Sequence, residues 1–147
     1  MKEPLLISRC LCGEPCRYDG IAKWLPAEVT AALAARFELI PVCPECVGGL
    51  PTPRPSAERQ GDRVVNTAGV DVTAQYKAGA EAALVLCREH GCTRALLKAN
   101  SPSCGRGRIY DGTFTRTLTR GNGVTAERLL DHGIAVYTEE EIAELMK

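Results

Sequence analysis

The sequence predicts an α/β fold, with a mostly parallel sheet covered by helices on both faces, as one Rossmann-like three-layer domain spanning residues 1–147. Three observations carry this expectation. Short aliphatic runs alternate with segments of helical period, Gly and Pro stand at the joins, and neither an internal repeat nor a linker divides the chain. Strands joined by helices run parallel with right-handed crossovers, which puts helices on both sides of the sheet.

Pro4 to Ser8 is a short apolar run that reads as the first strand, ending at Cys10. A Gly-containing loop follows as far as Leu25, and Pro26 suits the first turn of a helix, with Glu28 near its positive end. Val29, Ala32, Leu33 and Phe37 give that helix its apolar stripe. Leu39 to Val42 reads as the second strand and runs directly into Cys43. From Pro44 to about Asp62 the periodicity vanishes, and a loop of that length starting at a cysteine points to function. A small hairpin is expected between Arg63–Asn66 and Asp71–Thr73. Val72, Tyr76, Ala80, Ala83, Leu84 and Cys87 form one face of a long helix that stops at Gly91. Arg94 to Ala99 is the third strand, and residues 101–123 form a loop rich in Gly and Arg. A helix from Val124 to His132, a fourth strand at Ile134–Tyr137 and a capping box opening at Thr138 complete the order.

Composition limits the function classes. The 147 residues carry 18 basic and 18 acidic side chains, so no broad positive field exists to hold long nucleic acid. No apolar run reaches the roughly 18 residues needed to cross a bilayer, and the N-terminus lacks the form of a signal peptide. A cytoplasmic monomer acting on a small molecule is therefore expected. Eight cysteines then point to metal or catalysis before disulfides. Cys87 and Cys92 are the exceptions, expected to be plain buried residues.

In open parallel sheets, ligands bind beyond the carboxyl ends of the strands. Cys10, Cys43 and Cys104 each follow a predicted strand, so the topology brings three thiols to one rim. Spacing alone leaves the metal open. Cys10, Cys12 and Cys16 with the Cys43–Cys46 pair would serve zinc, a redox dithiol or an iron–sulfur cluster. Glu45 and Ser101, with Ser103 beside it, are the types needed to accept a proton and to orient water next to a metal. The plainer alternatives are a solvated loop carboxylate and a capping hydroxyl.

Four separated motifs make the sequence recognisable. Cys10-Leu-Cys-Gly-Glu-Pro-Cys16 with Arg17-Tyr-Asp-Gly20 is the first, and Pro41-Val-Cys-Pro-Glu45 followed by Gly48-Gly-Leu-Pro-Thr-Pro-Arg54 is the second. Lys98-Ala-Asn-Ser-Pro-Ser-Cys-Gly105 and Ile109-Tyr-Asp-Gly-Thr-Phe114 complete the set. Together, over about residues 5–140, they resemble the thiouracil desulfidase (TudS) family, long catalogued as a bacterial domain of unknown function. The resemblance implies a [4Fe-4S] cluster on three cysteines with one iron open, and removal of sulfur from a thiolated pyrimidine without net redox change. It implies Cys10, Cys43 and Cys104 as ligands and Glu45 with Ser101 as the catalytic pair, with Cys16 the rival ligand. Cys12 and Cys46 stand where the family often has other residues. Ser103 and Arg54 are expected near the substrate, while most of Arg54, Arg106 and Arg108 are expected to be structural or surface charges. The alternatives are a non-catalytic zinc or electron-transfer module, or an enzyme acting on thiolated tRNA bases.

Overall fold

The computed structural model describes residues 2–12 and 25–147. The loop expected after Cys12, with Cys16, lies outside the described residues. Strand β1 (Glu3–Ser8) buries Leu5, Leu6 and Ile7 completely. A strand hides consecutive side chains only when both faces of its sheet are covered. Helix α1 (Ala27–Arg36) leads into β2 (Phe37–Val42), and the single-turn helix α2 (Pro44–Val47) follows at once. A hairpin of β3 (Ala57–Gln60) and β4 (Arg63–Asn66) precedes the long helix α3 (Thr73–His90). Then come β5 (Arg94–Leu97), a second hairpin of β6 (Arg108–Tyr110) and β7 (Leu118–Arg120), and helix α4 (Val124–Asp131). The chain ends with β8 (Ala135–Thr138), a 3-10 turn at Glu139–Glu141 and the short α5 (Ile142–Leu145).

The main sheet is parallel throughout, in the order β2-β1-β5-β8. Alternation along each strand divides the core in two. Leu6, Ala95, Leu97, Ile40 and Val136 pack with Ala83, Leu84 and Cys87 of α3 and with Ala126 and Leu129 of α4. Leu5, Ile7 and Leu96 face the other way, against Leu33 of α1, Phe37 and Leu145 of α5. Each fully buried leucine contributes about 1.5–3 kcal/mol, so the three-layer arrangement rests on this period-two pattern. Among the described residues no helix is long and apolar enough to cross a membrane.

Gly91 stops α3 in the left-handed conformation at φ 71°, and Thr138 forms the expected capping box with Glu141. The expected hairpin differs. Arg63–Asn66 pairs with Ala57–Gln60 across Gly61 and Asp62, whereas Asp71 keeps a single bridge to Val65 and Thr73 already belongs to α3. Gly61, at φ 64°, permits a tight two-residue turn. The nearby prolines mask the strand before it. The long loop after Cys43 therefore holds α2 and β3, and the Gly- and Arg-rich stretch holds β6 and β7.

Two glycines lock α2 onto α3. A Cβ on Gly79 would lie 2.0 Å from the Pro44 carbonyl oxygen, and one on Gly48 would lie 2.1 Å from the Gln75 carbonyl oxygen. Both obstacles are backbone, so neither can step aside. Gly79→Ala is expected to lower stability by about 1–3 kcal/mol, the usual cost of overpacking, read as a reduced urea midpoint at unchanged slope.

Candidate functional site

The strands β2, β1 and β5 end at Val42, Ser8 and Leu97. The β1–β2 register runs unbroken from Glu3 opposite Phe37 to Ser8 opposite Val42, so these two chains leave the sheet side by side. Cys10 lies in the 3-10 turn Arg9–Cys12 after β1, Cys43 caps α2 directly after β2, and Cys104 lies in the turn that follows β5. All three line one cavity of about 530 Å³, together with Glu45, Arg54 and Ser101. The carboxyl-end rim of the sheet thus gathers six of the seven side chains expected from the sequence.

The three thiols are 4–7% exposed. Cys104 Sγ accepts a hydrogen bond from Ser8 Oγ at 3.6 Å, and that same oxygen accepts from Lys98 N at 3.0 Å. Burial first, then the charges of Glu45 and Cys43, pushes the Cys104 thiol up to about 12. A thiol in such a place becomes a thiolate when a metal cation takes the proton's place. A tetrahedral zinc draws its ligands onto one centre at about 2.3 Å, whereas a cuboidal cluster accepts each thiolate on a different iron. Three soft donors from three separate elements around a roomy cavity fit the cluster.

The remaining described cysteines have other surroundings, with Cys46 beside Cys43. Cys87 and Cys92 are buried in the α3–sheet core, and burial followed by the Cys92 neighbour pushes the Cys87 thiol up to about 12. Cys12 and Cys46 pack, half buried, against the opposite core, with Cys46 Sγ 3.4 Å from Thr52 Oγ1. Neither lines the cavity. Cys16 lies outside the described residues.

Glu45 follows Pro44 in the first turn of α2. Its Oε2 accepts from Arg54 Nη2 at 2.8 Å, Arg54 Nε at 3.2 Å and the Tyr76 hydroxyl at 3.1 Å. Oε1 has no protein donor among the described residues. Arg54 is itself anchored, donating Nη1 to the Pro51 carbonyl and to Thr52 Oγ1. Burial, then the charge of Glu45, holds the Tyr76 hydroxyl far above its ordinary range, so it stays a donor. The Gly48–Gly79 contact brings these groups together by fixing α2 on the helix that carries Tyr76.

Ser101 opens a turn in which its Oγ accepts from both Ser103 N and Cys104 N at 3.1 Å. With two N–H groups on that oxygen, its own hydrogen is the one it has to offer. The turn also ties Ser101 to the Cys104 backbone. Ser103 is placed differently. It is fully buried, its hydroxyl pairs with Thr125 Oγ1 at 2.8 Å, and it does not line the cavity. Arg106 and Arg108 form outer ion pairs with Glu141 and Glu140.

Sequence reasoning assigned Tyr76 to the core face of its helix and passed over Glu58, Lys98, Phe114 and Arg116, all of which line the cavity. The quoted motifs already contained Lys98 and Phe114. Among the described residues, the non-glycine positions with left-handed backbone are Asn100, Phe114 and Arg116, and every one of them lines this cavity. Such conformations cost on the order of 1–3 kcal/mol each and gather where ligands bind.

Comparison with known proteins follows the same outline. A family model described as 2-thiouracil desulfurase matches residues 5–141. The uncharacterized protein YbbK of Bacillus subtilis (strain 168) is 37% identical over 152 residues, spanning 97% of this chain and 99% of that protein. A solved structure described as the [4Fe-4S]-dependent thiouracil desulfidase TudS is 50% identical with a TM-score of 0.95, over 99% of this chain and 96% of that one.

Proposed function

Because the chain belongs to the 2-thiouracil desulfurase family, we propose that it is a thiouracil desulfidase holding a [4Fe-4S] cluster on Cys10, Cys43 and Cys104. The observation that carries this reading is the meeting of those three thiols with Glu45 and Ser101 around one cavity at the carboxyl ends of β2, β1 and β5. The overall reaction exchanges sulfur for the oxygen of water: the carbon–sulfur bond of thiouracil breaks, a carbon–oxygen bond forms, and uracil and hydrosulfide leave without net redox change.

When bound, the cluster on these three cysteines would supply a soft Lewis acid that favours the substrate's sulfur over its oxygens. The chain's own groups handle the water. Glu45 Oε1 accepts the proton of the attacking water while Arg54 and Tyr76 hold the carboxylate still through Oε2. Ser101 donates its hydroxyl hydrogen to that water's oxygen, because its own oxygen is already occupied by two backbone N–H groups. Positioned acid–base help of this kind is worth about 10²–10⁴-fold in rate. The substrate is a small thiolated pyrimidine, in keeping with a chain of zero net charge.

Anaerobic purification followed by iron, sulfide and zinc analysis tests the cofactor. About four irons with matching sulfide per chain, and release of hydrosulfide from 2-thiouracil, are expected. One tightly held zinc with no sulfide would replace this reading with that of a structural module.

A further inference from the structure

The loop joining β6 to β7 carries a pattern that the steps above leave unused. Its odd positions from 113 to 117 are threonines linked hydroxyl to hydroxyl, with Thr113 Oγ1 2.6 Å from Thr115 Oγ1 and Thr115 Oγ1 2.9 Å from Thr117 Oγ1. Asp111 N closes the loop by donating to the Thr117 carbonyl at 2.9 Å. The even positions all have left-handed backbone: φ is 93° at Gly112, 59° at Phe114 and 60° at Arg116. Phe114 and Arg116 line the cavity. A ladder of hydroxyls on alternate residues thus coincides with a curled backbone that sends the intervening side chains to the site.

The loop is also held from outside. Glu58, on β3 and 9% exposed, accepts from Gly112 N at 2.9 Å and from Phe114 N at 3.2 Å, both on Oε1. Gln60 Nε2 donates to the Gly112 carbonyl at 2.8 Å. The first hairpin therefore fixes the residue whose side chain the second one presents. The chain has two phenylalanines; Phe37 is 1% exposed in the core, whereas Phe114 remains 37% exposed. An apolar ring left open on a cavity wall, with its backbone clamped in a conformation that L-residues avoid, is arranged for a ligand.

We propose that Phe114 is the wall on which the planar ring of the substrate stacks, and that Glu58 is its positioning residue. The inference rests on the desulfidase reading of the cavity and adds the group that fixes the ring's plane. A flat heterocycle offers two aromatic faces and a polar edge; stacking orients the face and leaves the edge to the polar groups of Ser101 and Glu45.

The test uses uracil, which keeps the ring but lacks the sulfur, so ring contact is read without the sulfur–metal contact. Equilibrium dialysis of labelled uracil against the cluster-loaded protein is the measurement. Phe114→Ala is expected to weaken uracil binding about tenfold, within the range found for removing an aromatic stacking partner. Phe114→Tyr keeps the ring and is expected to bind within twofold of the parent. Glu58→Gln keeps the shape but loses the charged acceptor, and several-fold weakening is expected. The double variant with Phe114→Ala should bind no more weakly than Phe114→Ala alone, because Glu58 acts through that ring. Uracil affinity unchanged in Phe114→Ala, or a parent protein that binds no uracil, overturns the stacking wall. Losses that multiply in the double variant overturn the role of Glu58. Turnover of 2-thiouracil by the parent reads the desulfidase function separately, so each idea fails on its own measurement.

Discussion

Cys104→Ala protein, purified without oxygen, is expected to fall from about four irons per chain to below one and to lose the brown absorbance of the cluster. The reason lies in the donor set. Among the described residues, the cysteines that line the cavity are Cys10, Cys43 and Cys104. Removal of one leaves, among the described residues, two thiolates to hold a charged inorganic body in a buried cavity. Even a residue that only orients a ligand typically costs 10- to 100-fold in metal affinity when removed; a direct ligand costs more. Cys92→Ala is the matched control. It deletes the same atom from the α3–sheet core, 6% exposed and away from the cavity, and should keep its iron while losing some stability. Iron that stayed with Cys104→Ala would remove that residue from the ligand set and turn attention to Cys16.

Why the rim of thiols was legible in advance, while much of its surroundings was not, has a physical answer. Parallel strands all point their carboxyl ends one way, so a cysteine directly after an apolar run has its position set by topology alone. Cys10 and Cys43 are such residues, and the continuous β1–β2 register keeps them level. Side-chain direction inside an irregular turn has no period to read. Ser101 and Ser103 are two residues apart, yet one lines the cavity and the other is sealed against Thr125. Tyr76 shows a different limit. It shares a helical stripe with Ala80, Ala83, Leu84 and Cys87, which pack against the sheet or its neighbours, but it sits a turn earlier on α3. There the stripe passes beyond the sheet, and the same face meets Glu45 instead. Arg54 reaches Glu45 across nine residues of proline-containing loop, a contact that no periodicity announces. The second hairpin and the true partner of Arg63–Asn66 in the first escaped for a related reason: strands of three or four residues with charged positions carry too little alternation to stand out.

Glu45→Gln is expected to reduce kcat by about 10²–10⁴-fold, the span of general acid–base assistance, while iron content, cluster absorbance and stability stay near those of the parent. The geometry makes this substitution unusually selective. Arg54 and Tyr76 place all three of their hydrogen bonds to Glu45 on Oε2. A glutamine can put its amide oxygen in that position and keep every one of them, because a buried arginine accepts no other arrangement without losing its acceptor. Its NH₂ then falls where Oε1 was, so a group that can only donate replaces the one assigned to accept the water's proton. The anchoring survives and the chemistry at one oxygen is reversed. Ser101→Ala is a blunter instrument, since it also strips the acceptor from Ser103 N and Cys104 N. A fall in its activity mixes lost proton donation with a loosened Cys104. Ser101→Thr, which retains the oxygen, separates the two. Turnover of Glu45→Gln within threefold of the parent, measured as hydrosulfide released from 2-thiouracil by protein of equal iron content, would take Glu45 out of the proton transfer. The Arg54–Tyr76 clamp would then be a fastening of α2 to α3 and nothing more.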